Sequence, residues 1–241
     1  MEGFEGKVAA ITGAGSGIGR GLALELAAEG CHLALSDVDD AGLAETVTMV
    51  EQATGDRGSV RAGVKVSGTR VDVVDREAVD AWAAATRDEF GQVNLIFNNA
   101  GVALSANVSV MTYESFRGLM DINFWGVVHG TLAFLPHLRA SGDGHVVNIS
   151  SVFGLLGIPT QSAYNSAKFA VRGFTDALRT ELDIEQCGVS ATTIHPGGIR
   201  TNIARNARFE FAEHGEAVDA EQAAVDFERI TRTTPEKAAR L

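Results

Sequence analysis

The sequence predicts an α/β domain, and three observations carry that prediction. Short apolar runs of strand length alternate along the chain with longer segments whose apolar residues recur at helical spacing. The first strand and helix are joined by the glycine-rich turn Gly13-Ala14-Gly15-Ser16-Gly17-Ile18-Gly19, where backbone without Cβ atoms can approach a ligand or another strand. The length of 241 residues accommodates one large domain with a full core, which needs no disulfide or metal for stability. A single domain over residues 1–241 is expected.

Composition narrows the function classes. An apolar share of 45% and a charged share of 21% are those of an ordinary soluble globule. The formal charge of −11, with no basic cluster, repels nucleic acid and anionic membrane surfaces, so neither is expected as a partner. Cys31 and Cys187 form no C-x-x-C pair, which fits a reducing cytoplasm. No apolar run approaches bilayer length and the first residues are acidic, so a cytoplasmic protein is expected. The six histidines show no metal spacing, and no metal site is expected.

The elements follow in order. Lys7 to Thr12 reads as a strand; after the glycine turn, Leu22, Leu24, Leu26 and Ala27 mark a helix ending near Gly30. The strict G-x-G-x-x-G fingerprint and the P-loop both fail, leaving T-G-x-x-x-G-x-G. Its glycines still let N–H groups approach a pyrophosphate at the positive end of the helix, although a tight turn alone could have this composition. The second strand, Cys31 to Ser36, ends at Asp37, eighteen residues beyond Gly19, where an acidic side chain meets adenosine ribose hydroxyls and repels a 2′-phosphate. This selects NAD; capping the helix around Leu43 and Val47 is the other use of such an aspartate.

Thr54 to Gly63 reads as a surface loop, Val64 to Val71 as a third strand, and Arg76 to Phe90 as a helix. The fourth strand, Val93 to Phe97, leads into Asn98-Asn99-Ala100-Gly101, small and amide-bearing residues suited to passing close to a cofactor or to forming a turn. A long helix from Tyr113 carries an apolar run to Leu135, before Pro136 and the loop at Gly142. Within it Asn123 is polar in apolar company, either a satisfied kink residue or part of a solvent relay.

Val146 to Ile149 reads as a buried strand, which places Ser151 at a strand's carboxyl end, where open α/β sheets bind ligands. Thr160 to Glu185 has helical spacing, so Tyr164 and Lys168 fall at i and i+4 on one face. A neighbouring cation stabilises a phenolate and moves a tyrosine towards neutrality, where it serves as general acid or base. Ser151 would hydrogen-bond a carbonyl or alcohol oxygen. Val189 to Ile194 is the sixth strand, stopped by Pro196 and Gly197. Residues 202–234, with Phe209, Phe211 and Phe227 among many charges and no strand pattern, read as a lid over a site for an apolar substrate.

Taken together and in this order, Thr12-Gly13-x-x-x-Gly17-x-Gly19, Asp72, Asn98-Asn99-Ala100-Gly101, Asn123, Ser151, Tyr164-x-x-x-Lys168 and Pro196-Gly197-x-x-x-Thr201 closely resemble the short-chain dehydrogenase/reductase family, from Lys7 to Thr201. The resemblance implies a three-layer, doubly wound Rossmann fold with a mainly parallel sheet of seven strands. It implies that Tyr164 transfers the proton, that Lys168 lowers its pKa and binds nicotinamide ribose, that Ser151 holds the substrate oxygen, and that Asn123 anchors a relay water. It further implies that Gly13, Ser16, Gly17, Ile18 and Gly19 embrace the pyrophosphate. Asp72 and Val73 would meet the adenine, and Asn99, with Ala100 and Gly101, the adenine-side ribose. Ile199 and Thr201, after Pro196 and Gly197, would hold the carboxamide. The family's chain continues beyond Pro235 to Leu241 into a seventh strand, so the last strand is expected to be missing here.

The expected activity is NAD-dependent hydride transfer between nicotinamide and a secondary alcohol or ketone, with Phe153, Leu155, Leu156 and Ile158 after Ser151 suggesting an apolar substrate. The resemblance also implies a homodimer or homotetramer. A 3-oxoacyl thioester reductase, which would favour NADPH, and a nucleotide-binding sensor without turnover are the alternative readings.

Overall fold

The computed structural model of the chain describes residues 3–55, 63–201, 203, 207–210 and 233–240. Six parallel strands form one sheet in the order β3-β2-β1-β4-β6-β7: β1 Val8–Thr12, β2 His32–Asp37, β3 Val66–Arg70, β4 Leu95–Asn98, β6 Gly144–Ile149 and β7 Val189–Ile194. β5, Leu104–Ala106, pairs instead with β8, Arg208–Glu210, in a separate two-stranded ladder. The helices are α1 Gly17–Ala28, α2 Asp40–Gly55, α3 Arg76–Phe90, α4 Tyr113–Met120, α5 Gly126–Ser141, α6 Ser162–Glu185 and the short α7 Pro235–Ala239.

The inner strands are largely apolar because both faces of the sheet are covered, whereas β3 at the sheet's edge is polar and largely exposed. Alternate residues divide between two cores. Ala10, Ala34, Ile96, Val146 and Ala191 face Val79 and Trp82 of α3, Phe134 and Leu138 of α5, and Leu178 and Leu182 of α6. Ile11, Leu33, Leu35, Phe97 and Ile149 face Ala23 and Leu26 of α1 and Leu43 and Val50 of α2. This is a three-layer, doubly wound fold. The strand order reverses between β1 and β4, and ligands of such sheets bind beyond the carboxyl ends at that point.

A buried polar ladder crosses the second half of the sheet. Asn98 Nδ2 donates to Thr131 Oγ1 at 3.0 Å and to Asn148 Oδ1 at 2.8 Å, and Asn148 Nδ2 donates to Thr175 Oγ1 at 2.9 Å. Asn98 Oδ1 has no hydrogen-bond partner, and it lies 2.0 Å from where a Cβ on Gly130 would be. Only glycine lets α5 approach β4 this closely, with Cα–H groups facing that oxygen.

Several expectations need correction. The long helix from Tyr113 is interrupted by a π-helical turn, Asp121–Trp125, and α5 then runs through Pro136 to Ser141. Proline is tolerated there because it lies on the exposed face, with the exposed Leu132 four residues before it. Thr160 is not helical: its φ of +64° is left-handed, and α6 begins at Ser162. Neither strand of the β5–β8 ladder was expected. Of the loop expected at Thr54 to Gly63, Thr54 and Gly55 are instead the last residues of α2 and residues 56–62 lie outside the described residues, as does most of the expected lid, with Phe211 and Phe227. Among the described residues the main sheet holds six strands, and no helix is long and apolar enough to cross a membrane.

Candidate active site

The first half of the site grows from the glycine turn. Gly13 and Gly17 take φ values of +65° and +54°, conformations that favour glycine. A Cβ on Gly13 would lie 2.8 Å from Ala100 Cα, and one on Gly19 would lie 2.1 Å from Gly13 O and 2.7 Å from Asn99 Nδ2. The turn is thus folded against the chain leaving β4. Thr12 Oγ1 accepts from the N–H groups of Asn99 and Ala100, both at 3.0 Å. Asn99 Nδ2 donates to the carbonyls of Thr12 and Gly13 at 2.9 and 3.1 Å. The Asn99 amide, expected to meet ribose, therefore also locks the turn.

Ser16 is the N-cap of α1 and its side chain makes no capping hydrogen bond, so no side chain competes for the N–H groups at the helix's positive end. With the glycines beside it this end fits a pyrophosphate. Ile18 is half-buried behind the turn, and a Cβ on Gly17 would meet Thr201 Cγ2 at 3.2 Å, so the segment after β7 closes the cradle's other side. A groove beside it is lined by Ser16, Gly17, Arg20, Arg200 and Thr201.

Asp37 is held ready at the end of β2. Its Oδ2 accepts from Gly15 N at 2.8 Å and its Oδ1 from Asp39 N at 2.9 Å. Arg20, which sequence reasoning passed over, spans the two helices behind: Nε donates to Thr46 Oγ1 at 2.9 Å and Nη2 to Gly15 O at 2.5 Å. Asp72 is exposed and its Oδ1 accepts from Val74 N at 3.0 Å, whereas Val73 is buried, a Cβ on Gly126 falling 2.7 Å from Val73 Cγ2. This pair lies in the turn between β3 and α3.

The second half gathers the titratable residues. Tyr164 and Lys168 stand one turn apart on α6, and Lys168 Nζ lies 5.6 Å from the centre of the Tyr164 ring. Ser151 acts on the Tyr164 phenol, and its Oγ accepts from Phe153 N at 3.1 Å. Lys168 is buried, and Nζ donates to Ile149 O at 2.9 Å. Burial pulls its pKa from 10.5 down to about 8. Burial pushes the Tyr164 pKa up, and Ser151 opposes that rise. The expected depression of the phenol by Lys168 does not appear; burial outweighs the lowering influence of Ser151.

Asn123 sits fully buried in the π turn. Its Oδ1 accepts from Val102 N and its Nδ2 donates to Val102 O, both at 2.8 Å. Its amide is thus satisfied at the kink. It is nevertheless beside the lysine, since a Cβ on Gly101 would lie 3.3 Å from Asn123 Oδ1 and 3.7 Å from Lys168 Nζ. The Pro196–Thr201 segment joins the halves: Pro196 O accepts from Val152 N at 3.0 Å, Ile199 is buried, and a Cβ on Gly197 would meet open space. His195 Nδ1, facing a carbonyl, donates to Ser151 O at 3.0 Å. Among the described residues no group of histidine, cysteine, aspartate or glutamate is arranged to hold a metal, and Cys31 is buried with its thiol pushed up to about 12.

A doubly wound sheet with a glycine cradle at its switch point and a serine, tyrosine and lysine beside it defines a dinucleotide-linked oxidoreductase site. The chain belongs to the short chain dehydrogenase family, whose model matches residues 7–210. It is 51% identical to the Mycobacterium tuberculosis protein named oxidoreductase SadH, over all of this chain and 82% of that one. It is 37% identical to levodione reductase of Leifsonia aquatica, over 85% of this chain and 73% of the other. Among solved structures, a short-chain dehydrogenase/reductase from Burkholderia phymatum in complex with NAD superposes with a TM-score of 0.87 at 32% identity, over 100% of this chain and 85% of that one. A Brucella melitensis 3-ketoacyl-(acyl-carrier-protein) reductase complexed with NADH gives 0.80 at 25% identity, over 98% and 88%.

Proposed function

We propose that this oxidoreductase interconverts a secondary alcohol and its ketone with NAD as the hydride partner, in a single domain over residues 1–241 whose 202–234 segment covers an apolar substrate. The observation that carries the chemistry is the gathering of Ser151, Tyr164 and Lys168, with Lys168 Nζ 5.6 Å from the centre of the Tyr164 ring. The nicotinamide, when bound, accepts or supplies the hydride. In this reading Ser151 holds the substrate oxygen, and Tyr164 takes its proton in oxidation or donates one in reduction. Lys168 carries positive charge beside the phenol and reaches towards nicotinamide ribose. Asn123 fixes the Val102 backbone beside that lysine.

Support for NAD over NADP comes from Asp37, whose carboxylate is fixed at the end of β2 and would repel a 2′-phosphate. We place the remaining cofactor contacts at Gly13, Ser16, Gly17, Ile18, Gly19, Asp72, Val73, Asn99, Ala100, Gly101, Pro196, Gly197, Ile199 and Thr201. A cytoplasmic homodimer or homotetramer is the proposed working form, and sedimentation velocity decides the assembly. A 3-oxoacyl thioester reductase is the second reading, favoured by the likeness to a 3-ketoacyl reductase that was solved with NADH.

Fluorescence titration with NADH and NADPH tests the cofactor. NADH should bind at least about tenfold more tightly, and Asp37→Ala should narrow that gap; tighter NADPH binding would overturn the assignment. Tyr164→Phe should lower kcat by about 100-fold or more with NADH affinity kept, and near wild-type turnover would remove Tyr164 from the proton transfer.

A further inference from the structure

Asn165, the residue between Tyr164 and Ser166, is 8% exposed, and its side chain looks backwards along the chain instead of along its own helix. Its Nδ2 donates both hydrogens, one to Phe153 O at 2.6 Å and one to Leu156 O at 2.9 Å. Its Oδ1 accepts from Ile158 N at 3.1 Å. One amide thus satisfies three backbone groups of the loop that follows Ser151. A segment without regular structure rarely finds such partners except in water, so this side chain replaces solvent for the loop.

The far end of the same loop is also tied. Thr160 is held in the left-handed region at φ +64°, which is costly for a β-branched residue. Its carbonyl accepts from Ala106 N at 2.8 Å, and Ser105 Oγ donates to its Oγ1 at 3.0 Å. Between these two ties lie Phe153, whose ring stands edge-on to the Tyr164 ring at 6.2 Å, and Leu155, Leu156 and Ile158, which remain 47%, 47% and 37% exposed. Apolar side chains left open next to the phenol, on backbone fixed from both ends, form a preset surface.

We propose that Asn165 is a positioning residue that sets the apolar wall of the substrate site, so that selection among ketones by their apolar part depends on an amide that touches no substrate. This rests on the alcohol and ketone reading of the site. Aspartate has the shape of asparagine but turns acceptors towards the two carbonyls, so Asn165→Asp removes the tie with little change of volume. Asn165→Ala removes it without adding charge, and serves should the aspartate variant fail to fold.

The experiment compares wild type, Asn165→Asp and Asn165→Ala with NADH and a series of methyl ketones from 2-butanone to 2-octanone. In the variants the KM for 2-octanone should rise by roughly tenfold, whereas the KM for 2-butanone and the Kd for NADH should change by less than about twofold. The pH profile of kcat should keep its shape, because Tyr164, Ser151 and Lys168 are untouched. An equal loss across the whole series and in NADH binding would mean a merely structural role and overturn the proposal. Hydrogen exchange reads the clamp without turnover: the Ile158 amide should exchange at least about tenfold faster in the variants while the middle of α6 is unchanged. Unchanged exchange at Ile158 overturns the clamp. No wild-type turnover of any ketone or 2-alkanol would sink the underlying reading instead, and with it the role in selection.

Discussion

A single buried ammonium shows how the site trades stability for chemistry. Lys168 Nζ donates to Ile149 O, and burial holds its pKa at about 8 against 10.5 in the unfolded chain. The folded-state value is the lower one, so between about 8 and 10.5 the unfolded chain binds more protons and stability climbs with pH. Below that window the lysine is a net cost. Lys168→Met should therefore raise stability near pH 7 by on the order of 1–3 kcal/mol while abolishing turnover, and the advantage should shrink as pH passes through the window. Urea unfolding of both proteins at pH 7 and pH 10 checks this, and a difference independent of pH would mean that the lysine is not desolvated. At this scale the sequence was only partly legible. Tyr164, Lys168 and Ser151 are visible in their spacing, but the direction of the tyrosine's shift follows from burial, which spacing does not contain. The reach of Asn165 across nine to twelve residues of loop is likewise not periodic, and no sequence signal marks it.

Among the elements, the glycine turn carries the sharpest constraint. A Cβ on Gly19 would meet Gly13 O at 2.1 Å and the Asn99 amide at 2.7 Å, so Gly19→Ala must open the turn. NADH affinity should fall by more than about tenfold and the melting temperature by several degrees. Gly21→Ala, whose Cβ would meet Pro235 O at 2.9 Å on the other side of α1, should leave NADH binding far less affected. Equal losses in isothermal titration would mean that helix propensity, and not turn closure, is at stake. The inner strands of the main sheet were readable because burial on both faces makes them largely apolar. Three-residue β5 and β8 were not, since so short a strand shows no period. The π turn at Asp121–Trp125 is equally silent, because one extra residue hardly disturbs a helical pattern while it turns Asn123 towards Val102.

For the molecule as a whole, two cores on opposite faces of one sheet supply the bulk of the burial, and polar contacts decide how the halves meet. Asn148 links β4, β6 and α6 through Asn98 and Thr175. Asn148→Leu should cost about 2–4 kcal/mol in urea unfolding, and adding Thr175→Val should cost less than the two single losses together, since the pair then leaves fewer groups unmatched. Simple additivity would show that the contacts act independently. The alternation of strand and helix made the architecture legible from sequence, whereas the polar ladder was not, because spacing does not say which residues a buried asparagine such as Asn98 or Asn148 bonds.

That ladder also bears on how the chain avoids wrong pairings. If β6 slid by one residue along β4, Asn148 would point to the opposite face and leave Asn98 with an unanswered amide in a dry interior, at about 1–3 kcal/mol for each stranded group. Leucine, isoleucine, phenylalanine and valine, which supply most of the rest of these strands, would tolerate the slip far better. The asparagines therefore work as a spelling check on strand registry, and they guard the one boundary where a misprint would pull Ser151 away from Tyr164.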